Sequence, residues 1–402
     1  MKKEKTYFGF GENVFFTGLV SFFMDVSSEM IYPLVPLFLV GVLGVNMSMI
    51  GLIEGIAEST ASLLKVFSGW LSDRTRQRKN LMLAGYAIST LSRPIMAMAG
   101  SWQQVLASRC TDRLGKGIRT APRDAIIAEA TQATHLGRAF SFHRAMDTLG
   151  AVVGPAVTFA LLGFFNNDYR KIFWLSMVPG VIAVILIILF IQEKKKQPKP
   201  EAERPKLRFN QFDWKVKFFI VIAALFALGN SSDAFLILRA GQVGIPVTMI
   251  PMVYLMFNLV YSLSALPAGM AADKFGKKRI ILLGFVLFAG LYYGFAVASN
   301  GSTIWLLFGL YGLFMGLTEG IQKAFLATII PPDFMATAFG VYAAAVGLAM
   351  LPASLIAGWL SDHVSPAATF YFGAATATLA AILFTVLIVL IHYSQQLPVR
   401  ES

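Results

Sequence analysis

The chain reads as an all-α polytopic membrane protein with twelve transmembrane helices arranged as two pseudo-symmetric six-helix bundles. Three observations predict this: a composition foreign to water, apolar blocks of membrane-spanning length, and two halves that echo each other. Of 402 residues, 56% are hydrophobic and 14% charged, against about 25% charged in an ordinary soluble domain. One soluble core rarely grows past roughly 250–300 residues; here the apolar residues come in repeated blocks instead.

Taken in order, the blocks fall near 13–42, 46–72, 80–99, 102–126, 136–164, 171–192, 215–242, 246–272, 279–298, 302–330, 334–361 and 367–393. Many exceed the ~20 residues that cross the hydrocarbon, which suggests tilted or projecting helices. Pro33 and Pro36 should bend the second part of helix one. The charged, proline-containing stretch between helices six and seven divides the chain into 1–192, a linker 193–214 and 215–402. The start, MKKEKTYFGFGENVFF, has no short apolar core with a cleavage site, so helix one is expected to be retained.

The formal net charge of +12 fits either a nucleic-acid surface or the basic loops of a membrane protein. Location decides, because the clusters Lys2/Lys3/Lys5, Arg74/Arg76/Arg78/Lys79, 194–208 and Lys274/Lys277/Lys278/Arg279 all lie between apolar spans. No nucleic-acid partner is therefore expected. With the N-terminus in the cytoplasm every strongly basic connection falls inside, and GVLGVNMS, MAGSWQQ and ASNGST fall outside without Lys or Arg. The expected location is a bacterial-type cytoplasmic (inner) membrane, with both termini cytoplasmic and the chain a monomer in the lipid bilayer. Cys110 is the only cysteine, so no disulfide framework and no cysteine metal site is expected, and no cofactor is implied.

The halves repeat in order. Ser27-Ser28-Glu29 on helix one is echoed by Ser231-Ser232-Asp233 on helix seven, and Gly69-Trp70-Leu71-Ser72-Asp73-Arg74 by Gly269-Met270-Ala271-Ala272-Asp273-Lys274. Such duplication marks a transporter fold. The loop GMAADKFGKKR, with Gly269, Asp273, Lys274 and Gly276, resembles the signature between helices eight and nine of the major facilitator superfamily (MFS). The first copy departs from it, with Arg76 at the second glycine position. The resemblance implies the MFS fold, secondary transport by alternating access, and gating by the loops at Gly69, Asp73, Arg74, Gly269, Asp273, Lys274 and Gly276. A third copy, Gly358-Trp359-Leu360-Ser361-Asp362, continues with His363-Val364-Ser365-Pro366 instead of bases, as an outside loop should.

Helix five carries Gly150, Gly154 and Pro155 in a pattern similar to the G-x-x-x-G-P motif of proton-coupled exporters in the superfamily, although the motif's final G-G is Ala156-Val157. The plainer reading of those glycines is close helix packing. Arg109-Cys110-Thr111-Asp112-Arg113-Leu114-Gly115 is similar to the exporters' R-x-x-Q-G-x-G on helix four, with Asp112 for the amide and Arg113 for the first glycine. The resemblance implies a part for Arg109 in proton transfer.

A charge at mid-membrane costs about 2.5–3.5 kcal/mol on insertion scales, while a leucine returns about 0.3–0.6. Intramembrane charges must be paired or wet. Arg109, Asp112, Lys116, Arg119 and Arg123 recur at helical spacing on helix four, with Arg113 one turn from Arg109. On helix one Asp25, Glu29, Ser28 and Tyr32 cluster, and the two acids are the leading proton carriers; a permanent salt bridge from either to Arg109 or Arg113 is the alternative. Glu54, Glu58 and Lys65 share a face of helix two, and His143, Asp147, Gly150 and Gly154 one of helix five, where Arg144 adjoins His143. The proton-coupling candidates are thus Asp25, Glu29, Glu54, Glu58, Arg109, Asp112, Arg113 and Asp147. Candidates for the cavity and solute are Tyr32, Lys116, His143, Arg144, Asn230, Asp233, Arg239, Tyr254, Asn258, Tyr261, Tyr311, Glu319 and Lys323, with Phe314 beside them; Glu319 and Lys323, one turn apart, should neutralise each other.

The reading is a proton-driven exporter of a small organic or amphiphilic solute. Its alternative is a proton-coupled importer of an anionic solute, favoured by the arginine-rich face of helix four. An intramembrane enzyme or receptor is disfavoured by the lack of H-E-x-x-H, G-x-S-x-G and a nucleotide loop.

Overall fold

A computed structural model describes residues 6–75, 77–132, 135–193, 212–330 and 335–396, with the side chains of 65–75, 136–137, 335–337 and 394–396 outside the description. After a two-residue hairpin, β1 (Thr6–Tyr7) and β2 (Phe10–Gly11), come twelve membrane-length helical segments. In the first half these are α1 (Glu12–Gly41), α2 (Met47–Thr75), α3 (Arg78–Met98), α4 (Trp102–Glu129), α5 (Leu136–Phe164) and α6 (Tyr169–Phe190). The second half has α7 (Trp214–Gln242), α8 (Ile250–Phe275), α9 (Lys277–Val297), α10 (Gly301–Thr328), α11 (Met335–His363) and α12 (Pro366–Gln396). Each expected span has its helix, displaced by a few residues at most.

Among the described residues nine helices are long and apolar enough to cross a membrane by length and composition. The three that fall short are α2, α3 and α4, the most polar of the twelve. They remain membrane-length because their polar groups face one another inside the first bundle.

Twelve helices in alternating directions bring the start of α1 and the end of α12 to one face, here called the terminal face; the far face carries the α1–α2 and α11–α12 turns. Besides a one-residue interruption of α6 at Ser176, two helices are broken over several residues. In α1 the prolines produce a 3-10 turn at Tyr32–Leu34. In α7 the helix stops at Gly229 and restarts at Asp233, with Ser232 Oγ accepting from the Ala234 amide at 3.3 Å. No proline explains the second break. It frees backbone at the depth of the central cavity, where irregular backbone is tolerated.

Close helix approach depends on glycine. A Cβ at Gly150 would stand 2.6 Å from the Phe22 carbonyl and 2.9 Å from the Asp25 Cβ, and one at Gly154 would stand 2.8 Å from the Glu29 Cβ. The glycines of α5 therefore set α1 down at its two acids. Pro155 sits inside the same helix. Across the halves, α2 and α11 interlock: a Cβ at Gly51 would stand 2.1 Å from the Ser354 carbonyl oxygen, and one at Gly358 2.4 Å from that of Met47. Ser59 Oγ also donates to the Gly347 carbonyl at 2.8 Å.

At the far face Asp362 seals this contact. Its carboxylate accepts from the Met47 amide at 3.0 Å, the Ser48 amide at 2.7 Å and the Ser48 hydroxyl at 2.6 Å, so a side chain of the second half satisfies the first turn of α2. Toward the terminal face the halves part around a cavity of about 450 Å³ whose lining includes Arg144, Tyr261, Gly269, Asp273, Glu319 and Lys323.

Because lipid offers no hydrophobic gain for helix association, small residues carry the packing. Gly150→Leu should overpack the α1–α5 crossing by about 1–3 kcal/mol, seen as a lower thermal-unfolding midpoint in detergent. Gly163→Leu, where a Cβ meets nothing within 4 Å, should leave the midpoint unchanged.

Candidate functional site

The charged groups of α2, α3 and α4 meet in one buried network. Arg109 Nη2 donates to Glu54 Oε2 at 2.5 Å, with both side chains almost fully buried. Arg113 reaches Glu58 at 2.6 Å and Asp112 at 3.6 Å. Arg93, only 1% exposed, binds the other oxygen of Asp112 at 3.1 Å and donates to Ser27 at 3.1 Å, Ser28 at 2.8 Å and Ser92 at 3.1 Å. The stripe on α4 is thus divided: Arg109 and Arg113 turn to α2, Asp112 to Arg93 of α3, and Arg119 to Ser89 of α3 at 2.5 Å, while Lys116 is exposed. Three cations, Arg93, Arg109 and Arg113, face three anions, Glu54, Glu58 and Asp112. Arg93 was missed in the sequence because it belongs to no stripe; its signal is simply one arginine in the middle of a span.

The expected alternative of a bridge from Asp25 or Glu29 to Arg109 or Arg113 is not what forms. Those arginines take Glu54 and Glu58, which stand on the helix facing them. Asp25 and Glu29 have no cation within 4.0 Å among the described residues, and Glu29 Oε2 is buried without a hydrogen-bond partner. The charged groups acting on Asp25 include Asp147, Lys116, Arg119 and Glu29, and those on Glu29 include Lys116, Arg113 and Arg109. Asp147 lies 3.6 Å from His143 Nδ1, and His143 Nε2 lies 2.8 Å from Ser21 Oγ. A polar chain therefore runs along α1 and α5 from Asp25 toward Arg123, whose Nη1 is 3.5 Å from Ser21.

Between the halves lies a central cavity of about 170 Å³, lined by Tyr32, Glu58, residues 230–233, Tyr311, Met315, Met350 and Ser354. Tyr311 donates to Asp233 at 2.9 Å and lies 3.3 Å from Asn230 Oδ1. Ser232 donates to Glu54 at 3.2 Å, tying α7 to the first-half network. Tyr254 is buried with its ring 5.3 Å from that of Tyr32, behind the cavity wall.

Other expected members lie elsewhere. Arg239 leaves the cavity: its guanidinium donates to the carbonyls of Phe295, Ala296 and Ala298 at 3.0–3.1 Å, because the end of α9 has unpaired acceptors and a negative dipole end. Asn258 bridges the halves, donating to the Ala151 carbonyl at 3.3 Å. Phe314 packs in the second-half core against Phe226 and Phe288. Glu319 does not pair with Lys323 but accepts from Tyr261 and lies 3.8 Å from Arg144, itself 2.5 Å from the Tyr261 hydroxyl. An i,i+4 spacing permits a pair without compelling it, and a fixed tyrosine close by displaces an exposed lysine. Gly269 is not at a tight crossing, for a Cβ there meets nothing within 4 Å; Gly276 ends α8 with φ +95°, and Asp273 pairs with Lys277 at 3.2 Å. Lys274 stands over the Phe275 ring. The side chains of Lys65, Gly69, Asp73 and Arg74 lie outside the described residues.

A sequence profile of the Major Facilitator Superfamily matches residues 17–239 and again 218–400. The chain belongs to that superfamily. An uncharacterized MFS-type transporter of Methanocaldococcus jannaschii is 35% identical over 382 residues, covering 92% of this chain and 94% of the relative. A multi-drug resistance efflux pump homolog of Lactococcus lactis is 23% identical, covering 91% of this chain and 92% of its own. The crystal structure of the nucleoside transporter NupG superimposes with a TM-score of 0.75 at 12% identity, covering 94% of this chain and 99% of its own. This MFS protein is therefore a multi-pass membrane transporter of twelve helices in two six-helix bundles.

Removing one member of a buried ion pair strands the other, at about 3–5 kcal/mol, whereas replacing both with apolar groups is often neutral. Arg93→Met alone should therefore destabilise the transporter strongly. Arg93→Met combined with Asp112→Leu should recover a large part of the loss, and a cycle of thermal-unfolding midpoints measures the coupling.

Proposed function

We propose that this MFS transporter is a proton-coupled exporter of a small organic or amphiphilic solute, working by alternating access with Asp25 and Glu29 as the proton carriers. The observation that supports it is a difference between neighbouring acids. Glu54, Glu58 and Asp112 each have an arginine, whereas Asp25 and Glu29 lie in the same bundle with none. A half-buried carboxyl without a fixed cation is free to exchange a proton as its surroundings turn from dry to wet. Lys116, Arg119 and Asp147 act on this pair electrostatically and would modulate the exchange. Glu54, Glu58, Arg109, Asp112 and Arg113 then serve to hold the bundle's charges in place.

In this reading the terminal face is cytoplasmic, which places the basic connections inside. The interlock of α2 with α11 closes the far side while the 450 Å³ cavity faces the cytoplasm. The reverse state needs the Asp362 seal to part and the loops at 69–79 and 269–279 to come together. Export accords with the Lactococcus lactis relative's designation as an efflux pump homolog. An anionic solute is less well served, because Arg109 and Arg113 of α4 are already matched by acids. We propose further that the chain works as a monomer in the cytoplasmic membrane.

Proteoliposomes carrying a pH gradient and an internal pH dye test the coupling during a screen of solutes. Solute and proton should move in opposite directions, and Asp25→Asn and Glu29→Gln should each bring gradient-driven flux down to that of protein-free vesicles. Flux unchanged in both variants would sink the proton-carrier assignment, and co-directional movement would turn the exporter into an importer.

A further inference from the structure

The halves place different chemistry at equivalent positions. Gly85 of α3 packs against Arg119 of α4, where a Cβ would meet the Arg119 Cβ at 2.7 Å, and Gly284 of α9 packs against Thr318 of α10, where one would meet Thr318 Cγ2 at 2.3 Å. Aligning these crossings, counted from the first residues of the helices, sets Tyr292 where the first half has Arg93, and Tyr311 where it has Asp112. Ser231-Ser232-Asp233 answers Ser27-Ser28-Glu29. In the first half the serines of α1 receive a guanidinium that is itself paired to an acid. In the second half the corresponding space holds two phenols: Tyr292 and Tyr311 approach Asn230 Oδ1 at 3.4 and 3.3 Å, and Tyr311 donates to Asp233 at 2.9 Å.

The outcome is a charge imbalance. In the α2–α4 network Arg93, Arg109 and Arg113 are each matched by an acid and Arg119 is held by Ser89, and the residue of the second half that joins the network is the neutral Ser232. Asp233 has no cation within 4.0 Å among the described residues, and the charged groups acting on it are the acids Glu58 and Glu54. It also begins the second segment of α7, where a negative charge is favourably placed. Around it the cavity wall offers the Tyr32 ring, which the Arg109 guanidinium already meets at 5.3 Å, and the thioethers of Met315 and Met350, soft surfaces that suit a weakly hydrated cation, while Tyr311, its ring stacked on Phe257 and Phe314, contributes its hydroxyl.

The geometry points to this cavity as a binding site for small organic cations, quaternary or protonated amines, with Asp233, oriented by the Tyr311 hydroxyl, as the counter-ion and Tyr32 as the aromatic wall. The inference rests on the exporter reading above and gives its solute a chemical class. An amine entering from the 450 Å³ cavity passes Lys323 and the contact of Glu319 with Tyr261 and Arg144, and finds in Asp233 beneath them an acid with no cation beside it. A carboxylate solute at the same place would face Asp233 and find the neighbouring arginines occupied.

Equilibrium binding to the purified full-length protein, with no gradient, tests the site apart from coupling. Benzyltrimethylammonium is the probe, since its charge does not vary with pH, and phenylacetate is its anionic counterpart. Wild type should bind the cation and not phenylacetate. Asp233→Asn should weaken cation binding by about tenfold or more, and Asp233→Glu should retain most of it. Tyr32→Leu should lose several-fold while Tyr32→Phe stays near wild type, which keeps the test decisive should Asp233→Asn not fold. Absence of binding to wild type, equal affinity in a folded Asp233→Asn protein, or equal affinity in Tyr32→Leu and wild type overturns the assignment. Cation binding that responds as expected in a protein whose flux ignores Asp25 and Glu29 would sustain this site while removing the proton-carrier proposal.

Discussion

A charge in hydrocarbon must have a partner, and the first bundle is organised around that requirement. Arg93, Arg109 and Arg113 could not be tolerated on lipid-facing surfaces, so α3 and α4 turn them inward, where Asp112, Glu54 and Glu58 receive them. This turns the most polar helices into the interior of the half and leaves the more apolar α1, α5 and α6 to pack around them. The orientation of α4 then follows, since its arginines need α2 on one side and its Asp112 needs α3 on the other. Such a network fixes geometry more than it adds stability, and geometry is what two alternating states require.

The halves differ in how they meet that constraint. The first uses formal charges matched in pairs; the second replaces them with aromatic rings and hydroxyls, of which Phe226, Phe288, Tyr292 and Tyr311 form a continuous chain of ring contacts. Duplication has kept the helix lengths, the glycine crossings and the serine-serine-acid triplet, while the chemistry between them has diverged. A bundle held by ion pairs and one held by aromatic packing can share a fold because both satisfy the same depth profile. The central cavity lies where they join.

Much of this was legible in the sequence, and the reasons are particular. Span positions follow from hydropathy, and the bend in α1 from Pro33 and Pro36. The crossing of α5 on α1 is written in Gly150 and Gly154, and Glu54 and Glu58 announce themselves by sharing a helix face. What escaped was partner choice. Spacing along one helix suggested Lys323 for Glu319, but the competing donors, Tyr261 and Arg144, come from two other helices. Arg239 looked like a cavity residue because the carbonyls it caps belong to α9. Arg93 was passed over as a single charge among small polar residues, and the break in α7 has no proline to mark it. Apart from the local break in α7, each failure concerns an interaction between segments distant in sequence, which periodicity within a segment does not encode.

The carboxylate of Asp362 has a consequence of this kind. The first turn of α2 has one partner of its own, Asn46, whose Oδ1 accepts from the Met49 amide at 3.0 Å; the Met47 and Ser48 amides depend on a side chain borrowed from the other half. Whenever the far face separates, those two amides must turn to water. In the alternating-access cycle proposed above, the start of this helix and the opening of the far face are therefore one equilibrium, and exchange of those two backbone protons would report it.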